Sequence, residues 1–119
     1  MNSPYQVTWH WHGGTTNQAR TLVEGLSKQC AKKYEKLKRN LSFMGPQLAH
    51  TEMFGHIDGD IWELRELCDS GALRIYLFRD GNVYYLATAE IKNNGRNQAN
   101  SSLIKKAQEC CDEHKRSRG

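Results

Sequence analysis

Arg65 and Arg74 stand where an antiparallel pairing of their segments would bring two guanidinium groups onto one sheet face, together with Tyr76 and Tyr85. Guanidinium groups grip phosphate oxygens bidentately and aromatic rings stack on bases, so this mixture suits single-stranded nucleic acid. Taken singly, either arginine is more economically read as an ion partner of Glu63 or Glu66, because exposed ion pairs are common and weak. The two tyrosines on the same face turn the pair toward a phosphate-bearing partner.

Residues 61–92 must position these groups, and their alternation predicts three antiparallel strands. Asp80-Gly81 between β-branched and aromatic runs predicts a two-residue type I′ turn, which needs positive φ at both central positions. That turn pairs Arg79 with Asn82, Tyr76 with Tyr85 and Arg74 with Ala87. Leu73, Ile75 and Leu77 then share a face with Tyr84 and Leu86, while Arg74, Tyr76 and Phe78 share the other with Val83, Tyr85 and Ala87. Matching the apolar side of the preceding strand to the Leu73 face sets Arg65 near Arg74.

Upstream, residues 5–12 alternate and are rich in β formers, predicting a first strand that Gly13-Gly14 ends. Thr15 and Gln18 form a capping-box pattern for a short helix carrying Leu22, Val23 and Leu26. Ser27 offers the N-cap of a longer helix, in which Cys30, Tyr34, Leu37, Leu41 and Met44 form an apolar stripe before Gly45-Pro46 stops it. The opposite face carries Lys32, Lys33, Lys36, Lys38 and Arg39; such a face is ordinarily solubilising, and it would steer a polyanion if it bordered the arginines. Residues 47–60 read as an irregular loop at the rim of a binding site, with His50 and His56 as conceivable general bases. Ser101 is placed to cap a last helix with Leu103, Ala107, Cys110 or Cys111, and His114 on one side, followed by a frayed basic tail over 115–119.

Length and charge bound the rest. A chain of 119 residues is expected to be one domain. A net charge of +4 is compatible with nucleic acid without requiring it. No apolar run is long enough to cross a membrane and no signal segment opens the chain, so a cytoplasmic protein is expected. Cys30, Cys68, Cys110 and Cys111 form no C-x-x-C pair and are expected to be buried thiols. His10 and His12 lie two apart on a strand with no third histidine or carboxylate close in sequence, so neither a metal nor another cofactor is expected.

The segments Leu-Ser-x-x-Cys-Ala-Lys-Lys and Phe-Met-Gly-Pro-Gln-Leu within 26–48, Ile-Trp-Glu-Leu-Arg at 61–65, Leu-Arg-Ile-Tyr at 73–76 and Glu-Ile-Lys at 90–92 together resemble the RelE/ParE toxin superfamily. Within it the chain is most similar to the phage-derived HigB-type toxins of type II toxin-antitoxin systems. The resemblance implies an α+β fold in which an N-terminal strand and a helical pair pack on a small antiparallel sheet with a C-terminal helix. It implies a metal-independent, ribosome-dependent mRNA endoribonuclease that inhibits translation and is neutralised by a cognate antitoxin, with which it would form a hetero-oligomer. Carried over onto matching positions, the catalytic residues are Arg65, Arg74 and Lys92; the chemistry of the side chains themselves adds Tyr76, Tyr85, Lys36 and Arg96 as expected RNA-binding residues. Asn93 replaces a second lysine of the family pattern, Glu90 an aromatic residue and Thr88 a frequent histidine; Arg96 is the nearest substitute cation. The alternative on the same fold is a non-catalytic or ParE-like partner-binding toxin that poisons DNA gyrase.

Overall fold

Strand β1 (Gln6–Trp9) leads into helices α1 (Gln18–Glu24) and α2 (Lys28–Met44), after which β2 (Phe54–Asp58), β3 (Ile61–Cys68), β4 (Gly71–Asp80) and β5 (Val83–Lys92) precede helix α3 (Ser101–Arg118). This computed structural model describes residues 3–92 and 100–118; Arg96 and Asn93 lie outside them. The strands form one sheet in the order β1-β5-β4-β3-β2. It is mixed rather than wholly antiparallel, because β1 runs parallel to β5 while the other neighbours are antiparallel.

The two sheet faces are covered differently. Tyr34, Leu37 and Leu41 of α2 and Ala19 of α1 close over Leu73, Ile75, Leu77, Tyr84, Leu86 and Ala89. On the other face α3 lays Ala107, Cys110 and Cys111 over Ile61, Tyr76, Phe78 and Ala87. The stripe expected on α2 is therefore core as far as Leu41, while Met44 remains exposed. Ser27 caps α2 as expected, its hydroxyl accepting from the Cys30 N–H.

The β4–β5 turn departs from expectation by one residue. Asp80 pairs with Val83, so Gly81 and Asn82 are the central positions; Gly81 has φ 60° and no non-glycine residue among those described has positive φ. Positive φ at the first central position alone is the type II′ requirement, which Gly meets without strain. A bulge between Tyr76 and Leu77 then changes the phase, since Leu77 pairs with Leu86 but Tyr76 pairs with Thr88. The extra β5 residue places Thr88, Glu90 and Lys92 opposite Tyr76, Arg74 and Ala72.

Other boundaries shift for local reasons. Asn17, not Thr15, caps α1: its Oδ1 accepts from the Arg20 N–H while its Nδ2 donates to the Leu86 and His10 carbonyls. Gln18 continues the edge that β1 abandons, its amide exchanging two hydrogen bonds with the Ala89 backbone. Replacing Asn17 with Ala should lower unfolding stability by about 1–2 kcal/mol in urea denaturation, because it removes a cap and strands two carbonyls. Residues 47–60 are not a plain loop: Gly45–His50 is a 3-10 turn, and Phe54–Asp58 adds an edge strand to β3. Asn100 rather than Ser101 caps α3, its Oδ1 accepting from the Ser102 and Leu103 N–H groups.

The basic tail is helical through Arg118 because acidic partners hold it. Lys115 donates to Asp60, and both Arg118 and His114 reach Asp80. The His114 hydrogen bond, against a small burial cost and aided by Arg118, holds the Asp80 carboxyl below its usual range. A folded-state value below the unfolded one means this contribution is complete above the unfolded pKa and is lost as pH falls through the folded one. Amide resonances of residues 114–118 should therefore move in an NMR titration below about pH 4, and Asp80→Asn should abolish that step.

Finally, Cys30 and Cys68 are joined as a disulfide across 38 positions, which corrects the expectation of free thiols. The bond ties the first turn of α2 to the end of β3. Cys110 and Cys111 are free and buried.

Candidate functional site

Register builds the site in three rows across β3, β4 and β5. Arg65, Arg74 and Glu90 form one row; Glu63, Tyr76 and Thr88 the next; Leu67, Ala72 and Lys92 the third. Directly opposed residues on one face lie within about 5.5 Å at Cβ, so each row is a line of touching side chains. Arg65 thus stands beside Arg74 as expected, and the β5 bulge is what brings Lys92 and Glu90 to their side.

Glu63 joins the arginines. Its side chain is wholly buried, with Oε1 accepting from Arg65 at 3.0 Å and Oε2 from Arg74 at 2.8 Å. Arg74 is buried with it, whereas Arg65 keeps 44% of its side-chain surface in solvent. Arg65 is further fixed by an Nε–H donated to the Glu52 carbonyl at 2.7 Å. A guanidinium anchored at two points and still open on its outer side is preorganised to receive an oxyanion.

The arginines border an open cleft of about 560 Å³ lined by Glu52, Met53, Arg65, Glu66, Leu67, Ala72 and Arg74. Lys36 reaches this rim from α2, 2.8 Å from Glu66. Lys92 pairs with Ala72, one of the lining residues. Four cations named from the sequence therefore lie in or beside one cleft, and the carboxylates of Glu52, Glu63, Glu66 and Glu90 match their number. None of the lining residues is a histidine. His50 is exposed on the 3-10 turn, and His56, opposite Trp62, packs on that ring away from the Glu63 face.

The tyrosines behave differently from the arginines. Tyr76 is fully buried beneath α3, and its hydroxyl donates to Glu90 at 2.7 Å while accepting from the Asn100 N–H. Burial first, then the Glu90 contact, pushes its pKa upward, and its ring, covered by α3, presents no open face on which a base could stack. Tyr85 stacks on Phe78 and meets the His114 ring at a tilt, and it lines a separate groove with Lys38 and Arg39. Sequence reasoning placed Glu63 only as an ordinary ion partner, and the signal for its larger part was its position two residues before Arg65 on the same face.

A model of the family described as phage-derived protein Gp49-like (DUF891) matches residues 22–112. The chain belongs to this Gp49-like family. The match runs from α1 through most of α3 and so includes every residue of the cleft. No curated protein matches the chain. Among the described residues no helix is long and apolar enough to cross a membrane.

Proposed function

We propose that this Gp49-like chain is, over residues 1–119, a single toxin domain of the RelE/HigB kind, an mRNA endoribonuclease acting on the ribosome in the cytoplasm and neutralised by a cognate antitoxin. The observation that carries this reading is the Arg65–Arg74 pair, held by buried Glu63 at an open cleft that Lys36 and Lys92 also border. Phage derivation of the family and the sequence resemblance supply the class of activity.

The chemistry assigned to the cleft is attack of an RNA 2′-hydroxyl on the adjacent phosphorus with departure of the 5′-oxygen, the hydroxyl giving its proton to solvent and the departing oxygen taking one from it. Charge accumulates on the non-bridging oxygens of the phosphorane, and Arg65, the more exposed guanidinium, faces them. Arg74 sets the orientation of Arg65 through Glu63 and adds its own positive field. Lys92 contributes a third cation, and codon geometry on the ribosome supplies much of the alignment.

A second reading rests on the same cluster. Burial of Arg74 and its charge compensation by Glu63 suit a structural ion cluster in a partner-binding toxin, such as a gyrase poison. Induction of the protein in growing bacteria, with mRNA 5′ ends mapped for wild type and Arg65→Ala, separates the two. New 5′ ends that vanish with Arg65→Ala support the nuclease; intact transcripts with rising DNA damage support the partner-binding toxin.

A further inference from the structure

Further along β4 from the arginines, at Phe78, the chain emerging from β1 packs His10 against that ring, and α3 brings Cys110 and Glu113 up to meet it. We propose that His10, His12 and Cys110, with Glu113 as fourth donor, form a zinc-binding site that clasps the N-terminal strand to the C-terminal helix.

Geometry carries the assignment. One ligand atom each from His10, His12 and Cys110 lies within 4.8 Å of the others. The Cys110 Sγ is 3.8 Å from His12 Nδ1, Glu113 Oε2 is 3.6 Å from the same nitrogen, and Glu113 Oε1 is 2.9 Å from His10 Nε2. Donors around tetrahedral zinc, at about 2.0–2.3 Å from the metal, stand roughly 3.3–3.7 Å from one another, so the His12–Cys110 and His12–Glu113 pairs already stand near that spacing and the three-residue cluster would draw in by at most about an ångström. Two imidazoles, a thiolate and a carboxylate are a donor set that suits zinc.

Burial agrees with a site open on one side. His10 and Cys110 are buried, while His12 keeps 40% of its side-chain surface exposed and leaves an entry path. The Gly13 N–H contacts both Glu113 oxygens, at 3.1 and 3.0 Å, and orients the carboxylate from outside the ligand set. An ion pair between His10 and Glu113 explains those two residues but not a buried thiol beside the His12 nitrogen. Coordination replaces the Cys110 Sγ proton, which passes to solvent, while His10 binds as the neutral ring with its proton on Nδ1. The other cluster of possible ligands, Cys30, Cys68 and Asp69, has its two sulfurs joined to each other.

The test is titration of the full, chelator-treated protein with Co²⁺ followed by absorbance, and with Zn²⁺ by calorimetry. One Co²⁺ should bind per chain with a thiolate charge-transfer band and the visible bands of a tetrahedral ion. Cys110→Ser should abolish the charge-transfer band and Cys111→Ser, whose sulfur points toward Asp60, should retain it. His12→Ala, at a half-exposed position that the fold does not depend on, should weaken Zn²⁺ binding at least about tenfold. The proposal is overturned if folded wild type shows no such band, if the band survives Cys110→Ser, or if His12→Ala binds Zn²⁺ as tightly as wild type.

Discussion

Glu63→Ala is expected to destabilise the protein by about 3–5 kcal/mol, because it removes a buried anion from its pair with the buried Arg74 guanidinium. The side chain that is lost is wholly buried and accepts from both arginines. The two guanidinium groups would then face each other across β3 and β4 without the anion that separates their charges. Glu63→Gln retains the volume and one acceptor but not the charge, and should fall between wild type and Ala. Pairing Glu63→Ala with Arg74→Met removes the buried cation along with this anion, and should recover much of the loss. Urea denaturation of wild type, Glu63→Ala, Arg74→Met and the double variant gives the coupling; a Glu63→Ala loss under about 1 kcal/mol would mean that water or another group already compensates Arg74, and the cluster would not be the anchor described here.

Arg65→Ala has the opposite profile. Its side chain is part exposed and its ion pair shares Glu63 with Arg74, so the loss of stability should stay within about 1 kcal/mol. Removal of a donor aimed at a developing oxyanion typically reduces turnover by about 10²–10³, and ribosome-dependent RNA cleavage should fall by that factor. Arg65→Lys keeps the charge but not the planar fork, and should recover only part of the rate. Single-turnover cleavage of ribosome-bound mRNA, with urea denaturation alongside, makes the comparison. Cleavage by Arg65→Ala at the wild-type rate would remove the central claim of the nuclease reading.

The convergence of Arg65 and Arg74 was legible because the connection between β3 and β4 is short and alternation leaves one face for each residue. The turn after β4 was less so: Asp80-Gly81 and Gly81-Asn82 are both acceptable turn dipeptides, and the choice depends on twist and on what Tyr84 packs against. Nothing in the run Val83 to Lys92 announces a bulge, since Ala87, Thr88 and Ala89 are small enough to suit either face. The burial of Tyr76 depends on where α3 docks, a contact between segments far apart in the chain. The same holds for the Cys30–Cys68 pairing and for the approach of Cys110 to His12. Strand β2 was hidden by Gly55 and its polar neighbours, which read locally as loop. The cation site was thus readable where its geometry is set by adjacent strands and unreadable where it is set by helix docking.

The β5 bulge acts as a one-residue frame shift between two alternating patterns. On the turn side of it Tyr84 and Leu86 face the α2 core, and on the other side Ala89 does. Pairing β5 without the bulge, with every residue kept, would restore an even alternation and interchange the contents of its far half: Glu90 and Lys92 would be driven under α2, and Ala89 and Ile91 would replace them around the cleft. Most of the five-stranded scaffold would survive such a slip of register, yet the cleft would lose a cation and a carboxylate together. The chemical identity of that surface is therefore a matter of counting as much as of composition.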